Sequence, residues 1–270
     1  MRRQRVGLFV ALLTVVAGLA VPNSVAAGLS GVLPNRIAFE LNQGQTDDRV
    51  KFLARGGAYT LFLTPTEAVM ALHGRRKEQA VVRISPVGGN GLAGIVGVDE
   101  LAGKVNYVRS TSSQQRISAV PTYAAVKYVG VYPGVDLVYY GREGQVEYDF
   151  ALAPGADPNA IVLAFEGADR LEVDAQGDLV VHTAAGKLRQ LRPVIYQDVD
   201  GVRREVPGRY VLKGPHHVAV SVDAYDASRP LVIDPVLVYS TYLGGSGDEA
   251  AGREPARRSA LIIPPRVARR

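Results

Sequence analysis

Nine short runs place apolar residues at every second position, and turn residues separate the runs. They are AYTLFL (58–63), AVVRIS (80–85), AAVKYVGVY (124–132), VDLVYY (135–140), VEYDF (146–150), AIVLAF (160–165), DLVVHT (178–183), GRYVLK (208–213) and HVAVSVDAY (217–225). A period of two marks a strand with one buried face, because successive side chains leave opposite sides of the backbone. In the last run it sets Val218, Val220 and Val222 on one side and Ala219, Ser221 and Asp223 on the other. No window sustains a helical period beyond one or two turns. Three hairpins follow from turn chemistry. Asp174–Gly177 joins LEV to DLVVHT, Asp200-Gly201 joins YQDV to VRREV, and Gly141–Gly144 joins VDLVYY to QVEYDF. Asp-Gly readily supplies the positive φ of a tight turn. The expectation is an all-β chain, β-sandwich-like, with many short antiparallel strands in two packed lobes. LAPGADPNA (152–160) is the internal boundary, giving a first β lobe at 28–153 and a second at 154–235.

The two ends read differently. Arg2, Arg3 and Arg5 precede an uncharged apolar run, Val6–Val21, and small residues close at Ala26-Ala27. Residues 1–27 are therefore expected to be a signal peptide, and the rest a secreted, periplasmic or cell-surface protein. The apolar run is shorter than the roughly 20 residues of a membrane span. The chain has no cysteine, which excludes disulfides and thiolate chemistry. Its net charge of +5 misleads. Three arginines lie in the first 27 residues, and six arginines with one glutamate lie in 251–270; without them, 22 basic residues face 25 acidic ones. Phosphate binding needs a clustered basic surface, so nucleic acid is not an expected partner, nor is a membrane once the signal is removed.

Motif by motif, catalytic chemistry finds little footing. GNGLAG (89–94) matches a dinucleotide-binding pattern in letters only, because no helix-forming segment follows and no acid stands about 20 residues on. It reads as a loop between strands. GGSG (244–247) lacks the last glycine of a nucleophile elbow, Asp248 standing in its place. His73, His182, His216 and His217 show no metal-ligand spacing. Most of the 13 tyrosines alternate with polar residues and read as core, with Tyr123 and Tyr140 the exceptions.

One hairpin is more informative. Closing it at Gly141–Gly144 sets Tyr140 opposite Gln145 and Asp136 opposite Asp149. Val135, Leu137, Tyr139, Val146, Tyr148 and Phe150 then form a core face, and Asp136, Glu147 and Asp149 gather on the other. Directly opposed like charges are unfavourable. The trio therefore reads as a solvated or arginine-paired face, as a site for a hard cation such as Ca²⁺, or as a glycosidase carboxyl pair.

FELNQGQTDDRVKFLARG (39–56), NYV (106–108), VYPGVDLVYYGREGQVEYDFALAPGADPNAI (131–161), GDLVVHT (177–183), RPVIYQ (192–197) and PLVIDPVLVYSTYLGGSGDE (230–249) together resemble the N-terminal β-rich domain of secreted bacterial proteins that carry SBBP β-propeller repeats. The resemblance covers about 34–250. It implies an extracellular module ahead of a repeat array, and no catalytic residue. It makes 236–250 the opening strand of an incomplete SBBP repeat. The basic Pro/Arg tail at 251–270 departs from the pattern and reads as frameshifted translation; the rival is a short form whose final strand docks on the body. Two functions follow. One is a non-catalytic module that supports a propeller in surface adhesion or assembly, with the repeats as partner. The other is a secreted carbohydrate- or ligand-binding β-sandwich, Ca²⁺-dependent through Asp136, Glu147 and Asp149.

Overall fold

The computed structural model describes residues 37–73, 79–108, 116–235 and 237–240. The expected signal peptide, the 251–270 tail, and Val236 and residues 241–250 of the repeat opening lie outside them. Among the described residues the regular elements are strands, apart from a single 3₁₀ turn at Pro158–Ala160.

The strands of the first half are β1 (Phe39–Leu41), β2 (Phe52–Arg55), β3 (Tyr59–Leu63), β4 (Ala68–His73), β5 (Gln79–Pro86), β6 (Gly94–Val108), β7 (Arg116–Tyr132), β8 (Val135–Arg142) and β9 (Gln145–Leu152). Those of the second are β10 (Val162–Glu166), β11 (Arg170–Val173), β12 (Leu179–Thr183), β13 (Gly186–Gln190), β14 (Val194–Val199), β15 (Val202–Val206), β16 (Gly208–Leu212), β17 (His217–Val222), β18 (Leu231–Asp234) and β19 (Leu237–Ser240). All nine alternating runs fall on strands, and every pairing is antiparallel.

Fifteen strands form one sheet, organised by the long strand β7. β6 pairs along one edge of β7. β8 and β1 share the other edge, β8 at Ala125–Tyr132 and β1 at Thr122-Tyr123. From β8 the sheet runs through β9, β18, β14 and β15; from β1 it runs through β2, β3, β4, β5, β10, β17 and β16. The two wings face each other across one core. Tyr59 of β3 accepts a hydrogen bond from the Val146 amide of β9 at 2.7 Å. Tyr128 and Tyr132 of β7 donate to the Thr64 and Val162 carbonyls, each at 2.8 Å. These strands are far apart along the sheet, so the phenols bridge the wings where no ladder can. Phenol rings suit the task because they bury a large apolar body and carry a polar tip.

β11, β12, β13 and β19 form a second, smaller sheet. Its Leu171, Leu179, Val181 and Leu188 enter the same core cluster as Tyr148, Phe150 and Ile195 of the large sheet. Gln190 of β13, fully buried, donates to the Tyr148 hydroxyl at 2.6 Å. The boundary expected at 154 therefore falls inside one sheet rather than between two lobes. One wing joins residues 135–152 to 194–206 and 231–234, and the other joins 39–86 to 162–166 and 208–222. The physical reason is that β9 and β5 would otherwise be open edges, and each is closed by a strand from beyond the boundary, β18 and β10.

Candidate functional site

The hairpin of β8 and β9 closes more tightly than its glycines suggest. Its turn is the pair Glu143-Gly144, with φ of +48° and +79°, and Arg142 sits opposite Gln145. Positive φ at both central residues is the type I′ geometry, whose twist matches that of the flanking strands. Gly141 stays within the strand, where a Cβ would lie 2.4 Å from the Ile37 carbonyl oxygen. The register thus differs by two residues from the expected one. Tyr140 faces Glu147, Val138 faces Asp149, and Asp136 faces Ala151. A shift of two preserves which face each side chain takes. Val135, Leu137, Tyr139, Val146, Tyr148 and Phe150 accordingly all lie in the core, as expected.

The same shift separates the three carboxylates. Asp136 is not opposite Asp149. One of its oxygens lies 2.7 Å from Lys127 Nζ, and the other accepts the Gly130 amide at 2.8 Å. Gly130 has φ of +68° and sits at the irregularity in β7 between Tyr128 and Tyr132. Asp136 thus holds a bulge in place. Glu147 and Asp149 remain together on the outward face of β9, yet they are buried, at 7% and 6% exposure. Neither the solvated face nor the arginine-paired one describes all three.

Asp149 has two neighbours that the sequence did not suggest. Asp234 of β18, 5% exposed, stands one step beyond the Ile233–Phe150 pair and so beside Asp149. Arg203 of β15 lies on the same face, its guanidinium 3.4 Å from the centre of the Tyr196 ring. Tyr140 donates to Asp149 Oδ1 at 3.0 Å. Burial raises the Asp149 carboxyl to about 8, and the Asp234 and Glu147 charges push the same way; the Tyr140 hydrogen bond and Arg203 oppose the rise. Burial and the nearby carboxylates also raise the Tyr140 phenol. Asp234 and Arg203 come from strands some 50–85 residues away in sequence, and only the sheet order brings them here. Among the described residues, no group of three or more His, Asp or Glu side chains is arranged to hold a metal ion.

A second feature lies on the core face of β8. It is a cavity of about 290 Å³ between the turn Pro65–Glu67, the loop Gly89–Gly91 and the strands β4, β5, β7 and β8. Ala68, Ile84, Val131, Leu137, Tyr128 and Tyr139 give it an apolar wall. Tyr139 is 5% exposed and sits in a row of rings, 5.9 Å from Tyr128 and 5.5 Å from Tyr148 between centroids. Its hydroxyl makes no hydrogen bond among the described residues. Burial holds the phenol protonated, well above its ordinary pKa. GNGLAG forms the rim of this cavity as a loop between β5 and β6, as the sequence suggested.

A two-sheet, all-β module with a buried acidic face and one tyrosine-lined cavity is the class these observations define. The chain belongs to the family described as a domain of unknown function, DUF7948, which it matches over residues 39–236. No curated protein and no solved structure matches it.

Proposed function

We propose that the chain is a non-catalytic module of a secreted or cell-surface protein, built to support the SBBP β-propeller repeats whose opening sequence it contains, in adhesion or surface assembly. The observation that carries this reading is the position of β19. The family match ends at residue 236, and the next strand is already paired. Leu237, Val238, Tyr239 and Ser240 stand opposite Gln190, Arg189, Leu188 and Lys187 of β13. A single repeat strand cannot bury its own face without neighbours. Here the small sheet gives it a ladder, so the direction in which any following repeats leave is set by the module. The N-terminal pattern of charge, apolar run and small residues supports export. Ca²⁺-dependent glycan binding at Asp136, Glu147 and Asp149 has less support, since Lys127, Gly130 and Tyr140 already engage two of the three carboxylates.

The test joins the module to an SBBP repeat array through its own YSTYLGGSGDE segment. Module and array are expected to tumble as one body, measured by NMR relaxation or small-angle scattering. Val238→Pro, which removes a ladder donor from β19, is expected to release them. Independent tumbling of the wild-type pair would overturn the proposal.

A further inference from the structure

We infer that the cavity between the Pro65–Glu67 turn and the Gly89–Gly91 loop is a binding site for a small neutral aromatic ring bearing one hydrogen-bonding group, a phenol in chemical class. This stands independently of the module's role ahead of repeats. Its volume, about 290 Å³, lies at the lower end of ligand pockets and suits a single substituted ring. The wall carries one charged group, Glu67, and Arg83 neutralises it at 2.6 Å, so the site favours no net charge. Some polar groups at the site are engaged. The Tyr128 hydroxyl donates to the Thr64 carbonyl. Asn90 donates to the Gly130 carbonyl at 3.4 Å and accepts the Leu92 amide at 3.0 Å. The hydroxyls of Thr66, Ser85 and Tyr139 make no hydrogen bond among the described residues, and of these three lining residues only Tyr139 is buried, at 5% exposure. An aromatic ring extends the Tyr128–Tyr139–Tyr148 row at its cavity end, where Tyr128 and Tyr139 already meet edge to face. Leu92, beside the rim and 94% exposed, offers an apolar lip for the ligand's outer edge.

A free phenol and the tyrosine side chain of a polypeptide present the same group. Calorimetric titration of the full chain with p-cresol, N-acetyltyrosinamide, toluene and methyl glucoside separates the sources and tests the chemistry. Saturable binding of p-cresol or of N-acetyltyrosinamide, tighter than that of toluene, is expected, and which of the two binds better assigns the source. Tyr139→Phe keeps the ring and is expected to weaken the phenol roughly fivefold to tenfold, the worth of one hydrogen bond, without changing toluene. Gly91→Leu is expected to abolish binding with the fold intact. A Cβ there meets only Thr66 Cγ2, at 3.6 Å across the mouth, so circular dichroism and melting stay as in wild type. Binding by neither phenol, binding that survives Gly91→Leu, or a preference for methyl glucoside would overturn the inference.

Discussion

Asp149 is a carboxyl that stays largely protonated at neutral pH, and the cause is where β9 runs. Its backbone pairs on both sides, its side chain is 6% exposed, and Asp234 and Glu147 surround it with like charge. Unfolded, the same carboxyl would ionise near 3.8; folded, it holds its proton to about 8. The folded state therefore binds more protons between those values. This group's contribution to stability is complete below about pH 4, declines as pH rises towards 8, and is level above that, with a slope of at most about 1.4 kcal/mol per pH unit. Asp149→Asn, which keeps an acceptor for Tyr140, should match wild type in urea unfolding at pH 4 and exceed it by ~1 kcal/mol or more at pH 9. A variant no more stable than wild type at pH 9 would show that the buried charge is compensated. Removing the Asp136 side chain should destabilise the fold instead. Asp136→Ala strands Lys127 and frees the Gly130 amide, and should cost about 1–3 kcal/mol by the same measurement.

At the scale of the elements, turn chemistry was legible and register was not. Asp200-Gly201 closes β14 on β15 as the sequence indicates, with φ of +57° and +78°. In the β8–β9 hairpin the eye goes to the outer glycines, Gly141 and Gly144, yet the turn uses Glu143 and Gly144. Glutamate is a poor residue for a positive φ. Glu143→Asn should therefore raise the thermal midpoint by a few degrees, a gain of up to about 1 kcal/mol. An unchanged or lower midpoint would mean that the observed turn is not the one formed. Ten strands lie outside the nine alternating runs, and two of them show the physical reasons. AVMALH, β4, lies between β3 and β5, and four of its six residues are buried, so neither face is polar enough to alternate. β6 contains glycines where a period of two needs side chains. Gly97 lies under the Tyr123 ring, 2.5 Å from where its Cβ would be. The same economy of space operates at Gly208, whose Cβ would lie 2.3 Å from Ile195 Cδ1 and 2.7 Å from the Ser221 carbonyl oxygen. Gly208→Ala should cost about 1–3 kcal/mol in chemical denaturation.

Across the whole molecule, the sequence yields the class of fold but not its connectivity. Alternation reports one buried face per strand; it does not report which strand lies alongside. The break at 152–160 has every local mark of a domain boundary, yet β9 is sealed by β18 and β5 by β10, each from the far side of that break. The acidic face is assembled by the same crossings, which is why Asp149 was visible beforehand and Asp234 and Arg203 were not. The cavity was hidden for a related reason: Tyr139 reads as an ordinary core position, and only the unpartnered hydroxyl distinguishes it. β19 belongs to this scale too, since it ties the segment after the family match to β13. Backbone hydrogen exchange on β13 tests that tie most directly. The account predicts that amides of Lys187–Gln190 directed at β19 exchange slowly in the wild-type chain and become fast in Val238→Pro, while those directed at β12 stay protected in both. Fast exchange of the β19-directed amides in the wild type would mean that the strand is not docked, and would contradict the role proposed for the module.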